Sequence, residues 1–584
     1  MADERLHRVE NDQALHVDQT LWLRRALPIR VAIAVPFVII VAALIGGAVG
    51  LQWWIGPIVG AALCLPLLVR VRGESVAAKL SRRTRYATRS MFSGQPEYPE
   101  IPFDVPLPEG GSCGIRWENG TLITMLRLES PPQHMTKFVP GVAITDNTVP
   151  LDLLAESLVQ FDVALESIDV ISHGSRAYGT GDVARIYHSV LGPLPATAFR
   201  SVWIVLRLNP LDGSDAIARR GGGATGVLRT AMIATRRLAK RLTDNGTQAL
   251  IMSAGEMNAA TARLAEGHDL PAAEEHWDHI SADRMKFTTF IAKPDGLETF
   301  LLTDVWTVPT LSTTISIRLR RNESDETAIS ALVRFNTLET ATVPTPAGFT
   351  TLHGRQRDAL LATLPLHDNF RDRAEFEKFG PAQLLREMAI PASGCGQLVG
   401  ADEQGRAVTI PLVGASVREI SIVGTLHLAQ QVILRAIALG ARVIVHTNRP
   451  GGWVPMAQAL GIPQQLTIAN FGGGGQQAGH RQEFSVMVFD GVPPIPHAAE
   501  VTMIRIFGSP TTTSGAPTAS ATVTLTQQTR GGPIVRIETA EGHTDVMMVA
   551  TPDEMHYIGG SLRAPAASGP ASHPMRVPAP AGRR

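Results

Sequence analysis

A chain of 584 residues has room for two or three folded domains, and its 44% hydrophobic content is ample for their cores. Its 53 basic and 53 acidic groups balance to a formal net charge of zero, which excludes the overall positive field of a nucleic-acid binder. Cys64, Cys113 and Cys395 are too few and too scattered for a disulfide framework or a zinc site, in keeping with a reducing compartment.

Residues 1–30 read as a cytoplasmic lead-in whose first part carries Asp3, Glu4, Glu10, Asp12 and Asp18 with few large apolar groups. Val31–Val69 follows, 39 residues without a charged side chain. As one helix it would extend about 58 Å, twice the hydrocarbon thickness of a bilayer, so it must fold back. The break is expected near Gly46, Gly47, Gly50 and Gln52-Trp53-Trp54, giving a transmembrane helical hairpin over 31–71 with spans at Val31–Val49 and Ile55–Val71. Arg24, Arg25 and Arg30 precede it, and Arg70, Arg72, Lys79, Arg82, Arg83, Arg85 and Arg89 follow. Cations stay on the cytoplasmic side, so the N-terminus and the bulk of the chain are expected there, at the inner (plasma) membrane.

Residues 72–112 form a basic juxtamembrane segment, helical over 74–92, and then a proline-rich linker over 93–112. A first cytoplasmic α/β domain spans 113–345. It opens with a hairpin around Glu118-Asn119-Gly120; Leu151, Leu154, Leu158, Phe161 and Leu165 then recur at helical spacing. A strand at Ile168–Ile171, a helix at Asp182–Leu191, an apolar strand at Ser201–Leu208 and a helix at Gly226–Leu242 imply at least partly parallel strands. Later strands, Lys286–Ala292 and Thr314–Leu319, have a more antiparallel pattern. Residues 346–395 read as a connector with a helix at Gln356–Leu364.

The second cytoplasmic α/β domain spans 396–560, with a Pro/Ala-rich tail at 561–584. After a hairpin at Gln397–Leu412 come strand Glu419–Val423, Gly424, helix Leu428–Leu439, strand Arg442–His446, helix Trp453–Leu460, and strands Phe484–Phe489 and Val501–Phe507. Strand, glycine, helix is the order of a phosphate-binding loop, and Val486–Asp490 has the form of a strand presenting an acidic metal ligand. A working loop also needs a second glycine, a lysine for the phosphate oxygens and a hydroxyl for magnesium. Gly424-Thr425-Leu426-His427-Leu428-Ala429-Gln430-Gln431 lacks that second glycine and the Lys-Ser/Thr pair. Two readings stay open: a degenerate nucleotide-hydrolase-like scaffold, or an α/β domain whose order is coincidental.

Other candidates are weaker still. Arg219-Arg220-Gly221-Gly222-Gly223 precedes a helix and suits an anion, yet a flexible entry loop with solvated arginines explains it better. Gly472–Gly475 reads as a loop, and His173 as a loop residue without a partner. No Asp-x-Asp pair, no Gly-x-Ser-x-Gly turn and no His or Cys ligand spacing occurs. No catalytic, cofactor-binding or metal residue is therefore assigned, and no cofactor is expected.

The tight hairpin, the run from Pro106 to Gly114 (PLPEGGSCG), Asp169–Gly174 (DVISHG) and Gly192–Ala196 (GPLPA) before the Trp203 strand make the chain resemble the EccE family, membrane components of mycobacterial type VII (ESX) secretion systems. The resemblance implies a non-catalytic, membrane-anchored subunit that supports assembly or stability of the translocon and export of its substrates. Its implied partners are subunits of the EccB, EccC and EccD families, with EccC supplying the ATPase activity, and the lipid bilayer. The physical reading concurs that the hairpin is an anchor, since no ionisable group lies within it to line a polar path. The alternative is a membrane-tethered enzyme acting with a nucleotide or sugar-nucleotide.

Overall fold

The computed structural model describes residues 15–17, 29–50, 52, 54–68, 70–71, 74–75, 79, 82–84, 86–88 and 98–562, apart from 130–133, 140, 271, 323, 369, 415–416, 471–483, 497–500 and 509–520. Most of the lead-in, the Gly472–Gly475 loop, most of the 509–521 stretch and the tail past 562 lie outside these residues. The chain is mixed α/β and divides into two compact units: Met1–Leu398 with Gln404–Pro411, and Val399–Glu403 with Leu412–Arg584.

In the first unit, helices Ile29–Ala48 and Ile55–Leu68 pack as a hairpin. Gly56 and Gly60 lie one turn apart and let the backbones meet: a Cβ on Gly56 would stand 2.6 Å from the Ala42 carbonyl oxygen, and one on Gly60 2.9 Å from the Ile39 Cα. Among the described residues no helix is long and apolar enough to cross a membrane. The second has 14 residues and reaches about 21 Å, and the described side chains of the first begin only at Val35.

A thirteen-stranded sheet forms the body of this unit. Its main path runs Glu274–Glu275, Ile280–Ala282, Met285–Ala292, Thr327–Leu338, Ser312–Arg321, Ser167–Ser175, Phe199–Leu208, Thr121–Leu128, Ser112–Glu118 and Phe103–Pro106. Every described pairing in it is antiparallel, which corrects the expectation of partly parallel strands. The helix Asp182–Leu191 does lie between two strands in sequence, but the chain returns beside the strand it left and runs back along it, Ser167 opposite Arg207. Phe103–Pro106 adds an edge strand inside the stretch read as linker, where Pro106 meets the edge without interrupting a central ladder.

Period-two alternation explains how both sheet faces are covered. Leu122, Leu126, Val202, Ile204 and Leu206 turn to a core that includes Ala231, Ala234 and Leu238 of helix Gly223–Asp244. Ile123, Met125, Trp203 and Val205 turn to the other, with Met257 and Leu264 of helix Ala254–Leu264. The residues read as a connector contribute Leu352, Ala359, Ala362 and Phe370 to a further cluster.

The leucine pattern from Leu151 overstates its helix, which ends at Glu156. Val159–Gln160 then pairs with Val163–Ala164, and Phe161 at the turn is 91% exposed with φ 58°. Its ring lies under the Arg237 guanidinium at 5.1 Å instead of continuing an apolar face.

A buried ionic cluster pins five segments of this unit. Asp169 accepts from Arg318 Nε and Nη2, both at 2.7 Å, and from Arg207, whose Nη2 donates to the Leu366 carbonyl at 2.8 Å. Arg318 also reaches Asp368 at 2.6 Å, and Arg373 donates to Ser330 Oγ at 2.9 Å and to the Ser316 carbonyl at 2.9 Å.

The second unit is a sheet with a parallel core. Its order is Leu466–Asn470, Val443–Thr447, Val486–Asp490, Thr502–Phe507, Glu419–Val423, Val523–Gln527, and each of these neighbours is parallel. Ile534–Thr539 and Gly542–Met547 extend it antiparallel. Helix Leu426–Ala438 is buried from Leu428 to its end, and its Arg435 donates to Glu554 of helix Pro552–Ile558 at 2.7 and 3.1 Å.

Candidate functional site: the crevice at Gly424

Ligands of open parallel sheets bind beyond the carboxyl ends of the strands, and there the sequence places Gly424 and Asp490. The strand Glu419–Val423 ends at Gly424, and Thr425 caps the following helix, its hydroxyl accepting from Leu428 N at 3.4 Å. In a phosphate-binding loop, amides at this point face the ligand. Here the Gln527 side chain occupies that position. Its Oε1 accepts from Thr425 N at 3.0 Å and its Nε2 donates to the Gly532 carbonyl at 2.8 Å. A Cβ on Gly424 would lie 3.0 Å from Gln527 Oε1 and 3.0 Å from Leu428 Cδ2, so this approach needs glycine to accommodate the chain's own side chains.

Asp490 ends its strand 1% exposed. Its carboxylate accepts from Thr447 Oγ1 at 3.0 Å, from Trp453 Nε1 at 2.8 Å, and from Arg449 Nε at 2.8 Å and Nη2 at 2.6 Å. Oδ2 accepts from Thr447, Trp453 and Arg449, and Oδ1 from Arg449, so the carboxylate is held in a charge-paired, hydrogen-bonded setting. The hydrogen bond that Arg449 donates to Asp490 raises its guanidinium above the usual range, against the lowering effect of burial. Gln430 Nε2 donates to the Gly452 carbonyl at 2.8 Å and ties the helix to the loop before Trp453. Among the described residues, Thr425, Gln527, Asp490, Arg449 and Trp453 engage one another around this crevice, while the buried Gln430 Oε1 has no partner.

The remaining candidates are likewise engaged. Arg220 forms a bidentate pair with Asp162 at 2.8 and 2.9 Å, and that hydrogen bond draws the Asp162 carboxyl down to about 2. His173 sits in a buried strand, which corrects its reading as a loop residue: the strand continues to Ser175 and pairs on both sides. Its Nδ1 lies 2.9 Å from Thr314 Oγ1, and burial, with the Arg334 charge, draws its pKa down to about 3, so the imidazole is neutral. Burial pushes the Cys113 thiol up to about 12, and Cys395 is also raised by burial. Among the described residues no group of three His, Cys, Asp or Glu side chains is placed to hold a metal. Gln527 carries no sequence signal for its place, being a polar residue of a strand about a hundred positions from Gly424.

Comparison with known proteins gives one direction. The family described as "Putative type VII ESX secretion system translocon, EccE" matches residues 196–292. The ESX-1 secretion system protein EccE1 of Mycolicibacterium smegmatis is 27% identical over 428 residues, 72% of this chain and 80% of that protein. EccE1 of Mycobacterium tuberculosis is 29% identical over 344 residues, 58% of this chain and 65% of that protein. The ESX-5 protein EccE5 of Mycobacterium marinum is 26% identical over 267 residues, 44% and 65% of the two chains. The matched segment 196–292 contains the Phe199–Leu208 strand and both sheet-covering helices, the central frame of the first unit. The chain is thus similar to EccE proteins of type VII secretion systems, over 72% of its length in the Mycolicibacterium smegmatis comparison.

Proposed function

We propose that this chain is a non-catalytic, membrane-anchored subunit of a type VII secretion complex, supporting assembly or stability of the translocon and export of its substrates. The observation that carries the reading is the outer surface of the apolar hairpin. Phe37, Leu44 and Val49 are 65%, 70% and 72% exposed, and Ile40, Ile45, Ile58 and Val59 are also exposed, within a stretch without charge. Apolar surface this continuous suits lipid or a partner helix rather than water. Two spans at 31–71 with both flanks on the cytoplasmic side accord with the arginines before and after them. Subunits of the EccB, EccC and EccD families are the proposed partners, and nucleic acid is not among them. The engaged state of Gly424 and Asp490 supports a scaffold over the nucleotide-dependent enzyme.

The test is complementation. Cells with a type VII system and lacking this chain should secrete less of its substrates, the full chain should restore export, and a chain lacking residues 29–68 should not. Unchanged export without the chain contradicts the proposal.

A further inference from the structure

We propose that the pocket beside Arg200 in the first unit binds a small inorganic anion of the halide class. Three distant segments line it, contributing His134 and Thr136, Thr197 and Arg200, and Ser393 and Cys395, and no aspartate or glutamate is among its lining residues.

Charge is the first argument. Arg200 donates from Nη1 to the Pro391 carbonyl at 3.1 Å and from Nη2 to Thr197 Oγ1 at 3.0 Å, and stacks 4.3 Å from the centre of the Trp306 ring. Its Nε–H is buried and makes no hydrogen bond. A second guanidinium, Arg176, lies within electrostatic reach of Cys395, bonded to the Thr307 and Gly192 carbonyls with its own Nε–H unbonded. Among the described residues neither arginine has a carboxylate partner. Neutral carbonyls and hydroxyls satisfy geometry but do not offset the removal of a cation from water. Burial also raises the Cys395 thiol, which keeps it from serving as the counter-ion.

Proton placement is the second argument. His134 Nε2 lies 3.2 Å from the Gly394 carbonyl, which can only accept, and the tautomer with its proton on Nε2 is the one that satisfies this contact. Ser393 Oγ, 2.9 Å from the same nitrogen, then accepts from it, and also accepts from Asn147 Nδ2 at 2.8 Å. The Ser393 hydroxyl proton is left to donate. Size is the third argument: the space open to the centre of a water-sized body is about 10 Å³, which suits one small monatomic ion.

The experiment uses the full chain purified in mild detergent, with thermal unfolding followed at constant ionic strength while sodium gluconate is exchanged for chloride or bromide. The proposal expects a saturable rise in the unfolding midpoint with both halides. The rise should be absent in Arg200→Gln, and in Ser393→Ala its half-saturating concentration should increase several-fold. Equal midpoints in gluconate and halide overturn the proposal, as does a wild-type halide response in the folded Ser393→Ala protein. Sulfate or phosphate acting at lower concentration than chloride would overturn the assignment to a halide-sized ion. If Arg200→Gln does not fold, the Ser393→Ala titration decides.

Discussion

Asp169 shows how much one residue holds in this molecule. Burial opposes its ionisation, and the Arg207 and Arg318 charges more than offset that, so its carboxyl lies below the ordinary range near 3.9. The stability this contributes is present above the unfolded value and is lost as pH falls through the lower folded value. Asp169→Asn should leave two guanidiniums short of a counter-charge and lower stability by about 3–5 kcal/mol, read as a fall in the thermal midpoint at pH 7. The difference between the variant and the wild type should shrink as the pH falls below 4. At Phe161 the opposite holds, because the ring is solvent-exposed at a left-handed turn. Phe161→Asn relieves the backbone and loses the Arg237 contact, so stability should change by less than about 0.5 kcal/mol in the same assay. The sequence named Asp169 only within a run of letters and took His173 for a loop residue. Nothing local indicates that Arg207 and Arg318 converge on the Asp169 carboxylate, since convergence is set by sheet register and not by spacing.

At the scale of elements, four of the six parallel strands of the second unit were legible because short β-branched runs alternate with apolar helices, with limits within two residues of those expected. Leu466–Asn470 and Val523–Gln527 were not expected. The first unit was less so. A helix between two strands usually signals a parallel crossover, and only the register tells that Asp182–Leu191 joins antiparallel neighbours. The Gly424 loop lacks the second glycine and the Lys-Ser/Thr pair in the sequence itself, while the Gln527 contact that fills it was invisible there. Gln527→Ala should leave the Thr425 amide and the Gly532 carbonyl without their partner, at about 1 kcal/mol, and should create no nucleotide binding. Thermal unfolding and titration with a fluorescent ATP analogue check both outcomes. In the hairpin, Gly56→Leu should force the two helices apart, because the added side chain meets the Ala42 backbone at once. The measurable result is a lower recovery of folded chain from detergent extracts than for Leu44→Ala, which alters only the exposed face.

For the whole molecule, the family match and the physical reading come from different residues. The matched segment lies in the antiparallel sheet of the first unit, whereas the hairpin owes its reading to hydropathy and its exposed apolar face. The engaged crevice at Gly424 and Asp490 belongs to the second unit. All three accord with a chain that acts by holding partners rather than by chemistry. The most direct measurement is affinity purification of the tagged full chain after mild detergent extraction of membranes from cells that run the secretion system. The account predicts that the chain sediments with membranes and that other type VII subunits co-purify with it. Recovery of the chain from the soluble fraction, or from membranes without any such subunit, would contradict it.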